Sequence, residues 1–276
     1  PGTVPAPAPA QSAVIAGTPA WLLGTWAREW VRDASGTRND RIVTYLQAPG
    51  YFADLRIARD RPAAPAGTAA DRAPATLRPA IAGTRAFAGR TRYDQGVMHW
   101  DHDVSFQPPD GEEDMGRVVP SGRHGMRETG LDGSYEEAWR RVDGGGGRYL
   151  VLRAVEGSRT AALLVVVGSR FAYVRNRPID LPRADSLGAL LDAAPDEAAR
   201  RALIDCDFSF GRIGVGGASW RIERSTLPWR EGTDLDATIL QPARAAMHGC
   251  TPGGAWQVEV NTWASRPGRG AVRARG

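Results

Sequence analysis

The sequence contains no lysine, and all 35 of its basic residues are arginine. A chain without lysine cannot form a Schiff base through a lysine side chain. It also cannot hold a phosphate with the lysine of a P-loop. Enzyme classes that depend on either group are therefore excluded.

The arginines do not form a stripe of the kind that binds nucleic acid. They alternate with 31 acidic residues, so the net charge is +4 although the pI is about 9.5. The dense basic stretch SRPGRGAVRARG ends the chain. We predict a flexible, solvated tail over residues 266–276, and we expect no nucleic-acid partner.

Cysteine and histidine are scarce, with two and four residues. Cys206 and Cys250 lack the close spacing of a zinc site. We predict free thiols, although an oxidising compartment would allow them to pair. His99 and His102 lie in one predicted strand but project from opposite faces. We therefore expect no bound metal, and nothing in the sequence indicates a cofactor.

Long apolar runs are also absent. The run AALLVVVG, over residues 161–168, is far shorter than the roughly 20 residues that a membrane-spanning helix needs. Residues 1–14 are rich in proline and alanine and lack the basic start and continuous apolar stretch of a secretory signal. We therefore expect a cytoplasmic protein with no membrane partner and a disordered tail over residues 1–20.

Polar and apolar residues alternate with a period of two through most of the chain, which is typical of antiparallel strands. Turns containing glycine and proline separate these segments at the spacing of a meander, and this pattern favours a β-barrel. We predict a mainly β protein, with an antiparallel barrel over residues 21–180. A short helical connection and a second, smaller β-unit are predicted over residues 181–265.

Two regions depart from the strand pattern. A short helix is predicted near residues 70–85, and one or two helices are predicted over residues 185–204, where the apolar period lengthens. The segment DATILQPA, over residues 236–243, is predicted as a strand of the second unit.

The predicted strand YFADLRIA, over residues 51–58, raises the main functional question. Asp54 and Arg56 project from one face of it, and a more apolar set of residues projects from the other. If the polar face points into the barrel, this acid and guanidinium form the floor of a polar cavity. If the apolar face points inward, they are surface residues.

Two ionisable residues are predicted to face the same interior. In HWDHDVSFQPP, residues 99–109, His102 shares a face with Trp100 and two further apolar residues, so its imidazole is expected to point inward. Glu128 also faces inward, and a buried carboxylate needs a partner. Arg28 and Arg56 are the available partners, and a purely structural ion pair is the alternative to catalysis.

Aromatic side chains are predicted to surround this cluster. Trp26, Trp30 and Tyr45 belong to the first two strands, and Glu137 and Trp139 share a face of a later one. Aromatic residues in such positions form core more often than ligand walls. We nevertheless include these five, with Arg28 and Arg56, as candidate substrate-binding residues.

Four segments resemble a group of bacterial and fungal lipocalin-like proteins of no agreed activity: LLGTWAREWVRD, VTYLQAPGYFADLRIARDRP, HWDHDVSFQPP and MRETGLDGSYEEAWRRV. The resemblance spans residues 21–175, with a weaker echo in ASWRIERSTLPW. It implies a calycin-type β-barrel, with a second β-unit in the longer members. The group more often has arginine where this chain has His102, so no role for that position is carried over.

Two classes of function follow from these features. The first is a cofactor-independent acid–base enzyme of the lyase, hydratase, isomerase or cyclase type. In such an enzyme, His102, Glu128 or Asp54 would transfer protons. An arginine would bind an anionic or carbonyl group of a small organic substrate. The alternative is a ligand-binding or carrier barrel without chemistry, or an interaction scaffold whose cavity is filled by its own side chains.

Overall fold

The computed structural model describes residues 14–15, 17–65, 68 and 77–263. The predicted C-terminal tail and most of the predicted N-terminal tail lie outside the described residues. The end of the N-terminal segment differs from the prediction of disorder. Strands β1 (Val14–Ile15) and β2 (Thr18–Pro19) pair with each other, and the Thr18 hydroxyl, which is buried, accepts a hydrogen bond from the Gly50 amide.

Within the described residues, eight antiparallel strands close into a barrel, and a short strand flanks one of them. In chain order these strands are β3 (Gly24–Asp33), the short β4 (Gly36–Arg38), β5 (Arg41–Ala48), β6 (Tyr51–Ala58), β7 (Arg85–Asp94), β8 (Val97–Ser105), β9 (Asp114–Ser121), β10 (Gly125–Gly130) and β11 (Tyr135–Asp143). Each barrel strand pairs with the next, and β11 pairs with β3 to close the barrel. The predicted mainly β fold with an antiparallel barrel is confirmed.

A second sheet of six strands follows in the described chain. Its strands are β12 (Tyr149–Glu156), β13 (Arg159–Val167), β14 (Arg170–Arg175), β15 (Asp207–Ile213), β16 (Trp220–Ser225) and β17 (Trp256–Asn261). Strands β12 to β14 were predicted to belong to the barrel, but they pair in this sheet, because β11 already completes the barrel. The run in β13 is apolar on both faces since both faces of this strand are buried.

The described residues form four α-helices: α1 (Arg78–Ala82), α2 (Leu187–Ala193), α3 (Glu197–Ile204) and α4 (Ala237–Met247). The first three match the predicted helical regions. The predicted strand over 236–243 is wrong, because that segment begins α4. Its buried residues Ile239, Leu240, Ala243 and Ala246 recur at helical spacing and pack on the second sheet.

None of the helices in the described part of the chain has the length and apolar character that a bilayer crossing requires. Cys206 is buried and Cys250 is exposed, and the two thiols are free, as predicted.

Both faces of β6 are buried, which answers the question that its sequence raised. Asp54 and Arg56 point into the barrel. Leu55 and Ile57 point out of it and join one apolar cluster with Leu163 of β13. The second sheet therefore covers the outside of the barrel at this strand, and each large apolar side chain buried there contributes about 1.5–3 kcal/mol.

Shortening a side chain between the barrel and the second sheet should destabilise the whole protein. Leu163 is fully buried, so Leu163→Ala is expected to lower the free energy of unfolding by about 2–5 kcal/mol. Leu131→Ala is the control, because Leu131 is 50% exposed, and its effect should stay within about 0.5 kcal/mol. Urea denaturation measures both, and equal losses would contradict this arrangement.

Candidate functional site

The barrel interior is divided between an apolar part and a cavity. Leu22, Met98, Val118 and Met126 pack with Trp26, whose indole N–H donates a 2.8 Å hydrogen bond to the Leu22 carbonyl. Trp26, predicted to bind substrate, therefore belongs to the apolar filling of the barrel. It does not line the cavity.

The cavity has a volume of about 270 Å³, counted out to the solvent. Its walls combine aromatic rings with ionisable groups, and the lining residues are Tyr45, Phe52, Asp54, Arg56, Phe87, Trp100, Asp114, Glu128 and Trp139. The structure thus places five of the ten predicted site residues in the lining of this cavity: Tyr45, Asp54, Arg56, Glu128 and Trp139. Alternation along the strands brings these residues from four different strands to the same interior.

A chain of ion pairs forms one side of the cavity and continues behind it. The Arg56 Nε donates to an Asp54 carboxylate oxygen at 2.8 Å, and Arg56 Nη1 lies 3.7 Å from Glu137 Oε1. The same Glu137 oxygen accepts a hydrogen bond from Arg28 Nη1 at 2.5 Å. Burial raises the pKa of Asp54, while Arg56 acts in the opposite direction. The predicted residues Arg28 and Glu137 therefore support the cavity wall from behind.

Glu128 has a different partner from the one predicted. The Tyr135 hydroxyl donates a 2.9 Å hydrogen bond to Glu128 Oε1, and within the described structure no arginine forms an ion pair with this carboxylate. Burial, reinforced by the negative charge of Glu137, raises the pKa of Glu128 to about 8. This carboxyl group therefore exchanges its proton near neutral pH.

A glycine makes room for this arrangement. Gly116 of β9 faces Glu128, Tyr135 and Trp100, and a Cβ atom at this position would lie 3.2–3.3 Å from their side chains. That distance is shorter than ordinary van der Waals contact. The absence of a side chain at Gly116 lets the carboxyl, the phenol and the indole meet at one point.

A hydrogen-bonded aromatic pair also lines the cavity. The Trp100 indole N–H donates to the Tyr45 hydroxyl at 3.1 Å, and the Tyr45 hydroxyl donates to the Gln47 side-chain oxygen. Gln47 in turn donates to the Thr91 hydroxyl at 3.0 Å. Burial raises the pKa of Tyr45, so this phenol stays neutral and acts as a structural donor.

His102 lies at the mouth of the cavity. Its ring stacks on Phe87 with a centroid separation of 4.5 Å, and its Nε2 is 2.9 Å from an Asp114 carboxylate oxygen. The side chain is 28% exposed. His102 is therefore on the predicted side of its strand but at the solvent edge, outside the residues that line the cavity.

A β-bulge explains why Val104 and Phe106, expected beside His102, lie elsewhere. His102 pairs with Gly89 and Val104 pairs with Ala88, so Asp103 has no residue opposite it. Beyond the bulge, Val104 packs in the cluster that faces the second sheet. Gly89 is required there, because a Cβ atom would lie 2.1 Å from the Asp101 carbonyl oxygen.

A second bulge places Trp30 outside the barrel, which contradicts its predicted role. Arg28 pairs with Trp139, and Trp30 pairs with Ala138, the residue that precedes Trp139 in β11. Glu29 is therefore the extra residue, and the alternation reverses. Trp30 stands on the outer face, where Arg127 lies 4.5 Å from its ring centroid.

Four lining residues were not among the predicted site residues. Asp114 follows a proline- and acid-rich segment that resembles a solvated loop, so its sequence carries no signal for an inward carboxylate. Trp100 lies between two polar residues, so its inward face was readable, although a ligand wall was not distinguishable from core. Phe52 and Phe87 each lie between two apolar residues, so the local pattern does not distinguish their faces.

Three buried polar atoms of the barrel interior have no hydrogen-bond partner within the described structure: Arg28 Nε, Glu137 Oε2 and Trp139 Nε1. Arg28, Glu137 and Trp139 are 7%, 3% and 3% exposed. Buried polar groups nearly always have a partner, so each of these atoms has a hydrogen bond left to make, to a water molecule or to a ligand.

The fold and site together define a closed antiparallel barrel with an aromatic and ionisable cavity. No family model matches the chain, and no curated protein matches it. Among solved structures, the chain is similar to an uncharacterized protein of Saccharomyces cerevisiae, YLR301w. The identity is 12% and the TM-score 0.48, and the match covers 73% of this chain and 84% of that one.

The carboxyl of Glu128 should make the stability depend on pH. The folded protein holds this proton up to about pH 8, whereas the unfolded chain releases it near 4.5. Because the folded state binds more protons between these values, its free energy of unfolding should fall as the pH rises, by up to about 1.4 kcal/mol per pH unit. Glu128→Gln should remove this contribution.

Urea denaturation of the wild type and of Glu128→Gln across this pH range measures the effect. Asp54 contributes with the same sign in both proteins, so the difference between the two curves isolates Glu128. Parallel curves would show that the Glu128 carboxyl is ionised throughout.

Proposed function

We propose that this protein is a lipocalin-like barrel that binds a small organic molecule in the cavity. The observation that carries the proposal is the Trp139 indole N–H, which belongs to a wall residue and has no partner in the described structure. Leaving a buried donor unpaired costs about 1–3 kcal/mol. A ligand oxygen that accepts this hydrogen bond removes the cost.

The walls have the composition of a ligand site. Aromatic rings provide most of the surface, and a few ionisable groups converge on it, which is the usual arrangement in small-molecule pockets. Because the volume of about 270 Å³ includes the open mouth, the ligand must be small. The alternative is a scaffold whose interior is filled by its own side chains.

The ligand was predicted to have an anionic or a carbonyl group, and the ion pairs of the two arginines favour the carbonyl group. Arg28 faces Glu137, and Arg56 faces both Asp54 and Glu137. An anion would have to compete with these carboxylates for either guanidinium. A carbonyl or hydroxyl oxygen, accepting from Trp139, avoids that competition and fits the site better.

Native mass spectrometry of the freshly purified chain tests binding. We expect a bound small molecule, and Trp139→Phe should weaken its binding about fivefold, which corresponds to the loss of about 1 kcal/mol from one hydrogen bond. Trp30→Phe is the matched control, since Trp30 lies on the outer face. Equal occupancy in both variants would show that Trp139 does not contact the ligand.

The second candidate is a cofactor-independent acid–base enzyme, and the pKa of Glu128 favours it. A carboxyl with a pKa of about 8 can both donate and accept a proton at neutral pH. Asp114, a lining residue, contacts His102 at 2.9 Å, so a second proton-transfer group lies next to the cavity. In this mechanism Glu128 and His102 transfer protons, while Asp54 positions Arg56.

His102→Ala separates a functional histidine from a structural one. Because the ring is partly exposed, the melting temperature should change by only a few degrees, equivalent to about 1 kcal/mol. Turnover of a substrate, or affinity for the bound molecule, should fall about a hundredfold if His102 moves a proton in the reaction. A large loss of stability with unchanged activity per folded molecule would assign it a structural role.

A further inference from the structure

We infer that the cavity binds an uncharged carbonyl compound whose oxygen accepts two hydrogen bonds, one from the Trp139 indole N–H and one from the carboxyl group of Glu128. The inference rests on the proposed binding function and adds the chemical class of the ligand. It starts from the positions of these two groups on neighbouring strands of the barrel.

The pairing of β10 with β11 places Glu128 between two inward residues of β11. Glu128 lies directly opposite Glu137, and Met126 lies opposite Trp139. Tyr135 and Trp139 are therefore the two diagonal neighbours of Glu128, at a separation that long side chains bridge. Both Glu128 and Trp139 line the cavity, so the two residues present their polar groups to the same space.

One of these neighbours occupies one oxygen of the Glu128 carboxyl. The Tyr135 hydroxyl donates to Oε1 at 2.9 Å, and burial raises the pKa of Tyr135, so the phenol keeps this proton. The other oxygen, Oε2, makes no hydrogen bond within the described structure. When Glu128 is protonated, Oε1 is already an acceptor. Oε2 then carries the proton and becomes a donor.

The other neighbour provides the second donor. Trp139 is 3% exposed, and its indole N–H has no acceptor in the described part of the chain. An indole N–H and a carboxyl O–H are both donors, so this part of the wall needs an acceptor. A carbonyl oxygen has two lone pairs and no proton. It can therefore accept both hydrogen bonds and leave no polar group of its own unpaired.

Other small polar groups fit this wall less well. A hydroxyl oxygen also accepts, but its own proton then needs an acceptor, and the carboxylates of Asp54 and Asp114 already have Arg56 and His102 as partners. An anion would lie close to the negative charge of these carboxylates. An ammonium ion has no lone pair to accept the N–H of Trp139.

Binding of this kind depends on the proton of Glu128. The titratable and charged groups around this carboxyl are Tyr45 from β5, Asp54 and Arg56 from β6, His102 from β8, Asp114 from β9, and Tyr135 and Glu137 from β11. Burial, with the charge of Glu137, raises the pKa of Glu128 to about 8, so at neutral pH the carboxyl can donate. Above this pKa a carboxylate cannot donate. The affinity should therefore be constant below it and fall about tenfold per pH unit above it.

Three probes with the same ring test the ligand class: cyclopentanone, cyclopentanol and methylenecyclopentane, in which a CH₂ group replaces the carbonyl oxygen. Binding is followed by NMR on the signals of the Trp139 ring, identified by their loss in Trp139→Phe. Below the pKa of Glu128, cyclopentanone should bind at least tenfold more tightly than methylenecyclopentane, and more tightly than cyclopentanol. It should also move the indole N–H signal downfield, because that proton enters a hydrogen bond.

Two variants and one control assign the pH dependence, which is followed on the carbon-bound ring protons of Trp139. Glu128→Gln keeps an acceptor for Tyr135 and a donor for the ligand, so it should bind cyclopentanone within about threefold of the wild type and show no loss at high pH. His102→Gln should retain the loss, which excludes the imidazole as its source. Glu136→Gln is the control, because Glu136 pairs with Arg32 away from the cavity, and it should match the wild type.

Equal binding of cyclopentanone and methylenecyclopentane would overturn the carbonyl ligand and leave the proposed binding function intact. Tighter binding of cyclopentanol, no response to any probe, or an affinity for cyclopentanone that stays constant above the pKa of Glu128 would also overturn it. The pH profile of the wild type decides this point even if Glu128→Gln fails to fold. The proposed function itself is decided by the native mass spectrometry of Trp139→Phe.

Discussion

The buried chain of ion pairs Asp54–Arg56–Glu137–Arg28 is the interaction on which the rest of the site depends. Two guanidinium groups that could have neutralised any of the interior acids are held by two of them. Glu128 is consequently left with a phenol, and its proton is retained to about pH 8. The raised pKa of this carboxyl follows first from its burial and then from the negative charge of Glu137, and Arg56, which is paired with other acids, only partly opposes them.

The second sheet makes such an interior possible. A small barrel normally fills its centre with apolar side chains, but here part of the centre is given to charged groups. The apolar residues of β6 instead face outward and are buried by β13 of the second sheet. The barrel thereby gains apolar burial from its outer surface, which offsets the desolvation of the charges inside.

Alternation along the strands predicted the barrel and much of the site, and its failures have one cause. Asp54, Arg56, Glu128 and Glu137 were assigned inward faces in the sequence or were left as one of two choices, and they meet as a cluster. Trp30, Val104 and Phe106 were misplaced, because a bulge in each strand reverses the alternation. A bulge depends on pairing with a distant strand, so the local pattern does not reveal it.

Residue 128 is a glutamate, although a glutamine would fit the same position. A glutamine there could accept the same hydrogen bond from Tyr135 with no charge to desolvate, and residue 128 would then cause no loss of stability as the pH rises towards 8. A carboxyl group at this position therefore lowers stability in return for an ionisable group. Local departures from the most stable choice are expected where binding or chemistry requires them. Glu128, beside an aromatic wall and next to a glycine that leaves space for it, is such a departure.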